Sequence, residues 1–340
     1  MTGVVVLNAG SSSLKVSLLG PGDTVVAALA LDHWDGSPDH ADLRSFITHW
    51  HGEIAVSGHR VVHGGRQFTG PALVDGAVLD AIMSLSDLAP LHQSRAVAGL
   101  EAVRRLLPGA PAVACFDTAF HAALPHAAAA YALPGDWADR FGLRRYGFHG
   151  LSHAYAARRA AGLLGVPAAG LRVVTCHLGA GASLAAVRGG RSVDTTMGFT
   201  PLEGLVMATR SGSVDPGLLI WLLRRGRLSI DDLSDGLEHR SGLAGLARLP
   251  GGSGDIRDVH AAAAAGDPAA AAAIEVYVHR LRREIAAMAA AMNGLDALVF
   301  TGGIGEHDPT VRAEAAAGLG FLGVAVDPGR NQDAGGDADI

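Results

Sequence analysis

Lysine is almost missing from this sequence: Lys15 stands alone against 26 arginines in 340 residues. With a formal net charge of −6 and no basic run, that scarcity argues against nucleic acid or an anionic membrane as a main partner. Any anion site must be local and built from a few arginines. Cysteine is nearly as scarce. Cys115 and Cys176 share no repeated spacing and follow apolar runs of strand type, which fits reduced core thiols of a cytoplasmic protein better than a disulfide framework or a metal cluster. Aromatic residues make up only 5%, so the cores must be aliphatic. No apolar run approaches the roughly 18 residues of a membrane span. The N-terminus enters a strand without the basic region and apolar core of a secretory leader, so neither membrane insertion nor export is expected.

What is present begins with a hairpin. Val4–Leu7 is a continuous apolar run, Leu14–Leu19 alternates apolar and polar residues, and the link between them is AGSSS. Small residues in such a turn let backbone N–H groups approach an anion closely, hydroxyls add donors, and Lys15 supplies a positive charge just beyond. The same residues also suit an ordinary serine turn beside a solvated lysine. A second copy favours the phosphate cradle: Val173–Val187 reads VVTCHLGAGASLAAV, an apolar run, His177, a Gly/Ser turn and an apolar return strand. Asn8 and His177 lie about half a chain length apart, so the chain reads as two related halves that each open with a phosphate-binding hairpin.

Between these hairpins, Glu53–His63 is a strand that ends by presenting His59, Arg60 and His63 before Gly64-Gly65, where an α/β sheet places ligand-binding groups. Helical spacing covers Val78–Leu85 and Ser94–Leu107, with Pro90 breaking the pattern. Pro111–Phe116 is a buried strand that runs into Asp117, an acid placed either for chemistry or to cap the following turn. In the second half, Pro268 divides an alanine-rich region into two helices, the second continuing to Met292. Ala297–Phe300 is a strand leading into the glycine turn TGGIGE.

The motifs NAGSSSLK, HRVVHGG, FDTAFH, YGFHGLSH, HLGAGAS, MGFTPLEG, TRSG, GDIRD and TGGIGE occur in order from residue 8 to residue 306. In this the chain resembles the acetate kinase family, within the superfamily of acetate and sugar kinases, actin and heat-shock chaperone ATPases. The resemblance implies an α/β fold of two duplicated ribonuclease H-like (actin-like ATPase) domains with a cleft between them. Residues 1–148 would form the N-terminal domain, with the first phosphate loop and the acyl substrate. Residues 149–327 would form the C-terminal domain, with the second loop, the nucleotide and the dimer contact, and 328–340 a truncated or flexible tail. The activity implied is reversible, Mg2+-dependent (or Mn2+-dependent) transfer of the ATP γ-phosphoryl to acetate, giving acetyl phosphate and ADP, in a cytoplasmic homodimer. Propionate or butyrate as acceptor, pyrophosphate as donor, and an ATP-binding regulator or scaffold without turnover are the rival readings.

Residue by residue, the resemblance gives Lys15 to the first phosphate loop and Asn8 to the same loop and to Mg2+. It makes Arg60 and Arg210 the grips on acyl and phosphoryl oxygens, Asp117 the essential carboxylate and His149 the stabiliser of the transition state. His177, Leu178, Gly179, Ala180 and Gly181 would hold nucleotide phosphates. Asp255, Ile256 and Arg257, with Gly303, Ile304, Gly305, Glu306 and His307, would enclose the adenosine. Val62, Leu91, Phe148 and Pro201 would wall the acyl pocket, although each also suits plain core packing. The other motif histidines, among them His63, His92, His121 and His153, read as structural hydrogen bonders, without the spacing of a zinc site. Three departures stand out. Ala180 replaces the family's Asn, LHQS replaces LHNP at Leu91, and His307 replaces Asn. The family's further strand and helix, which bring a glutamate to the magnesium, are also not found before Ile340. The expectation is therefore a truncated chain or a metal site one carboxylate short.

Overall fold

The first apolar run and its alternating partner do form a hairpin: β1 (Thr2–Ala9) pairs antiparallel with β2 (Ser13–Leu19), and the Gly10 N–H closes the turn on the Ser13 carbonyl at 2.7 Å. The structure, a computed structural model, describes residues 2–10, 13–32, 34, 37, 40–50 and 52–340, with residues 90–92 as backbone. Ser11 and Ser12 of the first glycine-serine turn lie outside the described residues. The chain divides into two compact units, Met1–Ala122 and Ala123–Ile340.

In the first unit, β1 and β2 are joined by β3 (Val25–Asp32), β4 (Glu53–Val61), β5 (Ala72–Leu73) and β6 (Ala112–Phe116) in the order β3-β2-β1-β4-β6-β5. β1, β4 and β6 run parallel. Because side chains alternate along a strand, Val5, Leu7 and Ala9 point into one core with Leu14, Val16 and Leu18. That core is closed by Leu43 and Ile47 of the helix Ala41–Thr48 and by Ala102 and Val103 of the helix Pro90–Leu106. Pro90, expected to break a helix, starts one: its fixed φ suits the first helical position, where its missing N–H costs nothing.

In the second unit, β7 (Arg172–Leu178), β8 (Ala182–Arg188), β9 (Arg191–Thr195) and β10 (Ala297–Thr301) form a sheet in the order β10-β7-β8-β9. The order and directions repeat those of β4-β1-β2-β3: an antiparallel hairpin, a third strand antiparallel to its second, and a later strand parallel to its first. The helices Gly150–Leu164 and Pro268–Ala291 pack against β7 and β8, which explains why those strands read as unbroken apolar runs. Pro268 begins the second of two helices, as expected, with the Asp267 carboxylate accepting from the N–H groups of Ala269 and Ala270.

Two expectations need correction. Residues 123–148, assigned from sequence to the N-terminal half, pack with the second unit: Tyr146 and Gly147 N–H both donate to the Gly198 carbonyl, and Arg145 pairs with Glu203 at 2.8 Å. Residues 328–340 are more than a loose tail. They contain the helix Pro328–Asp333, whose Asn331 is buried against Arg312. Among the described residues, no helix is long and apolar enough to cross a membrane.

Candidate active site

In the first unit the candidate residues meet on one row of the sheet. Register pairs Lys15 with Asn8, Asn8 with Arg60 and Arg60 with Cys115, so four neighbouring strands present these positions side by side. Asp117, just past the end of β6, is anchored by its own N–H on the Val61 carbonyl at 3.0 Å. Arg60 grips the buried Asp117 carboxylate in a fork, Nε to Oδ1 and Oδ2 at 3.1 and 3.0 Å and Nη2 to Oδ2 at 2.6 Å, while Nη1 donates to Asn8 Oδ1 at 2.8 Å. The Asp117 charge holds the guanidinium pKa above its ordinary value, with burial working the other way. Lys15 is exposed on the same row, and Val62 is buried just beyond Arg60. Gly64 has no room for a side chain: a Cβ there would press on the Phe68 carbonyl and the Phe116 ring, which keeps the turn after β4 tight. The Leu91 side chain lies outside the described residues.

In the second unit, the turn between β7 and β8 is closed by Gly179 N–H on the Gly181 carbonyl at 3.0 Å. Ala180 is tied in by its carbonyl, which accepts from Ala208 N–H at 3.1 Å, so this position is held through its backbone. A Cβ built on Gly181 would lie 3.5 Å from Arg210 Nη1 and 3.6 Å from His149 Nε2, which places both candidate side chains against the turn. Arg210 donates to the Pro201 carbonyl at 3.2 Å and faces Glu238 at 3.5 Å; burial pulls its pKa below the usual guanidinium range. His149 has a left-handed backbone, φ 56°, at the start of the helix Gly150–Leu164. For a residue with a Cβ that conformation costs roughly 1 kcal/mol or more, and here it directs the ring back over the turn. The His149 and His177 rings lie against each other, tilted by 34° with centroids 4.3 Å apart, and His177 Nδ1 meets Ser152 Oγ at 2.8 Å. Phe148 is buried beside His149.

The two stretches expected around adenosine have separate supports. Asp255 starts the helix Ile256–Ala264 by accepting from Arg257 N–H at 2.9 Å, and its carboxylate is drawn down to about 2 by the Arg257 side chain and that N–H. Gly303–His307 lie in the short helix Gly302–His307, immediately after β10, whose Thr301 pairs in register with His177. Glu306 accepts from Thr301 Oγ1 and Gly302 N–H at 2.9 and 3.0 Å.

Sequence reasoning missed Arg312. It is buried and donates to the carbonyls of Gly305 and Glu306 at 3.0 and 2.8 Å, and to Asn331 Oδ1 and O at 2.7 and 2.6 Å. An arginine within an alanine-rich helix gives little sign that it faces inward. Among the described residues, no group of three or more His, Cys, Asp or Glu is arranged to hold a metal ion. Asn8 Oδ1 and the Asp117 carboxylate are hard oxygen donors bridged by one guanidinium. That set suits Mg2+, which takes one or two carboxylates and completes its shell with phosphate and water.

Two sheets that repeat one strand order, each opening with an antiparallel hairpin, place the chain among α/β phosphotransferases. Within that class the chain belongs to the acetokinase family, whose model matches residues 40–340. It is 47% identical to an acetate kinase of a Synechococcus species over 99% of this chain and 92% of that protein, and 42% identical to the acetate kinase of Shouchella clausii over 100% and 93%. Among solved structures, Porphyromonas gingivalis acetate kinase superposes with a TM-score of 0.90 at 36% identity, covering 99% of this chain and 92% of that one. A propionate kinase from Francisella tularensis reaches 0.89 at 35% identity, covering 98% and 92%.

Proposed function

We propose that this protein transfers the γ-phosphoryl group of ATP to acetate, reversibly, giving acetyl phosphate and ADP. The observation that carries this reading is the hydrogen-bonded Arg60–Asp117–Asn8 cluster, with Asn8 and Arg60 paired in register and Asp117 just past the end of β6, in a chain of the acetokinase family. A carboxylic acid with an ordinary pKa near 4 to 5 is already ionised at neutral pH, so its oxygen can attack phosphorus without a general base. The new P–O bond forms as the bond to the ADP β-phosphate oxygen breaks, and no proton need move. What the chain must supply is fixed positive charge and N–H donors for a phosphoryl group whose charge spreads over three oxygens.

In this reading Arg60 and Arg210 neutralise the acyl and phosphoryl oxygens, His149 donates to the group in transit, and Asp117 holds Arg60 in orientation. Lys15 and the 177–181 turn bind phosphates, and residues 255–257 and 303–307 bind the nucleoside. Val62, Leu91, Phe148 and Pro201 bound the acyl methyl. Mg2+ would be held by Asn8 and Asp117, and when bound it supplies further neutralisation of the phosphate oxygens. The likeness to a propionate kinase makes propionate the second acid to test, since one methylene is worth only about 1–3 kcal/mol. We also propose a homodimer: the helix Pro216–Leu223 exposes Leu218, Ile220 and Trp221, with Ile230 nearby in sequence and 74% exposed.

A coupled assay for ADP with acetate, propionate and butyrate, run on the wild type, Arg60→Ala and Arg210→Ala, tests the reading. Acetate should give the highest kcat/KM, and each variant should lose about 100-fold or more in kcat. ADP release that ignores the added acid, or variants at wild-type rates, would remove it.

A further inference from the structure

Behind His149 runs a chain of polar groups that the phosphoryl-transfer reading does not use. His149 Nδ1 meets Ser183 Oγ at 2.9 Å, Ser183 Oγ meets His153 Nε2 at 2.8 Å, and His153 Nδ1 meets Thr175 Oγ1 at 2.7 Å. Ser183, His153 and Thr175 are fully buried, whereas the His149 ring is only partly so and borders Gly181 of the second glycine turn. The chain crosses from the helix Gly150–Leu164 to the paired strands β7 and β8, in which Thr175 and Ser183 sit.

A serine hydroxyl has one hydrogen. Set between two imidazole nitrogens and with no other acceptor for its hydrogen among the described residues, the buried Ser183 hydroxyl is satisfied only by donating to one ring and accepting from the other, which couples the two tautomers. The choice is made at the far end. If Thr175 donates to His153 Nδ1, then His153 Nε2–H donates to Ser183, Ser183 O–H donates to His149 Nδ1, and the His149 proton sits on Nε2. Reversed, every proton shifts by one place and the Thr175 O–H is left with the Ala185 carbonyl at 3.4 Å, well beyond the ordinary O–H···O range of 2.5–3.0 Å. Leaving a buried hydroxyl so poorly matched costs about 1–3 kcal/mol. The first polarity wastes no hydrogen.

We propose that Thr175, His153 and Ser183 are positioning residues that hold neutral His149 in a single tautomer, with its proton on Nε2. His149 then offers an N–H without having to be an imidazolium, beside the Arg210 guanidinium and under the His177 ring. The catalytic meaning of this arrangement rests on the reading given under Proposed function. The tautomer itself does not.

Long-range 1H–15N correlation spectra of protein labelled with [15N]histidine, recorded near pH 7.5 and assigned with His149→Gln and His153→Gln, read the ring states directly. Both rings should carry hydrogen on Nε2 and none on Nδ1. A proton on Nδ1 of either ring, or a doubly protonated His149, overturns the proposal whether or not the enzyme phosphorylates acetate. The relay is then broken without changing its shape. Thr175→Val should give mixed His149 tautomers and lower kcat at least about tenfold with the nucleotide KM nearly unchanged, as expected for loss of an oriented donor. Thr175→Ser should keep the wild-type spectrum and rate. A Thr175→Val protein with wild-type His149 signals and kcat would reduce the chain to packing.

Discussion

His59 and His63 bracket Arg60 in the sequence but point into a different environment. Both are buried; His59 Nε2 meets Ser57 Oγ at 2.9 Å, while its Nδ1 has no hydrogen-bond partner among the described residues. Burial alone drives each pKa from 6.5 to about 4. A histidine whose folded pKa is depressed binds its proton more readily when unfolded. Its neutral form therefore supports the fold fully above pH 6.5, and that support is lost as the pH falls from 6.5 towards 4. At full effect the loss is on the order of 3 kcal/mol per histidine. The thermal midpoint should fall steadily between pH 7 and pH 5, before most carboxylates titrate; a flat profile over that range would show the two rings to be more accessible than they look. At this scale the identities of Arg60 and Asp117 were legible, since both end strands. Their mutual fork was not, because two residues 57 apart in sequence meet only through the parallel pairing of β4 with β6.

The helices show where local pattern stops being informative. Pro90 was readable as an interruption and turned out to be a start, because one residue type marks both ends of a helix and only the chain before it decides. Asn331 sits among Asp, Gly and Pro that look like a solvated tail, and only the arginine it meets reveals it as buried. Arg312 holds the carbonyl end of the helix Gly302–His307 to the helix Pro328–Asp333 with one side chain. Arg312→Ala should strand several buried acceptors and cost about 3 kcal/mol or more in chemical denaturation. It should also raise the KM for nucleotide more than it lowers kcat, because the helix it braces carries residues 303–307. Unchanged stability would mean that water replaces the guanidinium.

At the scale of the whole molecule, the duplication was legible from two hairpins half a chain apart, and the repeated strand order carries it through four strands of each sheet. The boundary was harder to read, because residues 123–148 contain glycine-punctuated polar motifs of linker type and owe their place to the Gly198 carbonyl and Glu203 far downstream. The proposed dimer belongs to this scale too. Sedimentation at micromolar concentration should give twice the chain mass, and Trp221→Glu with Ile220→Glu should halve it; a monomeric wild type would leave that helix face to some other use.

The alignment of Lys15, Asn8 and Arg60 on a single rung has an evolutionary corollary. Loops at either rim can be traded freely, and β4 already takes up one extra residue opposite Gly3 and Val4, but one residue inserted between that irregularity and the Asn8–Arg60 rung would invert the side chains beyond it and turn the guanidinium away from its carboxylate. Variation in this protein should therefore accumulate as loop length and substitution, while the number of residues from rung to rung along these strands stays constant.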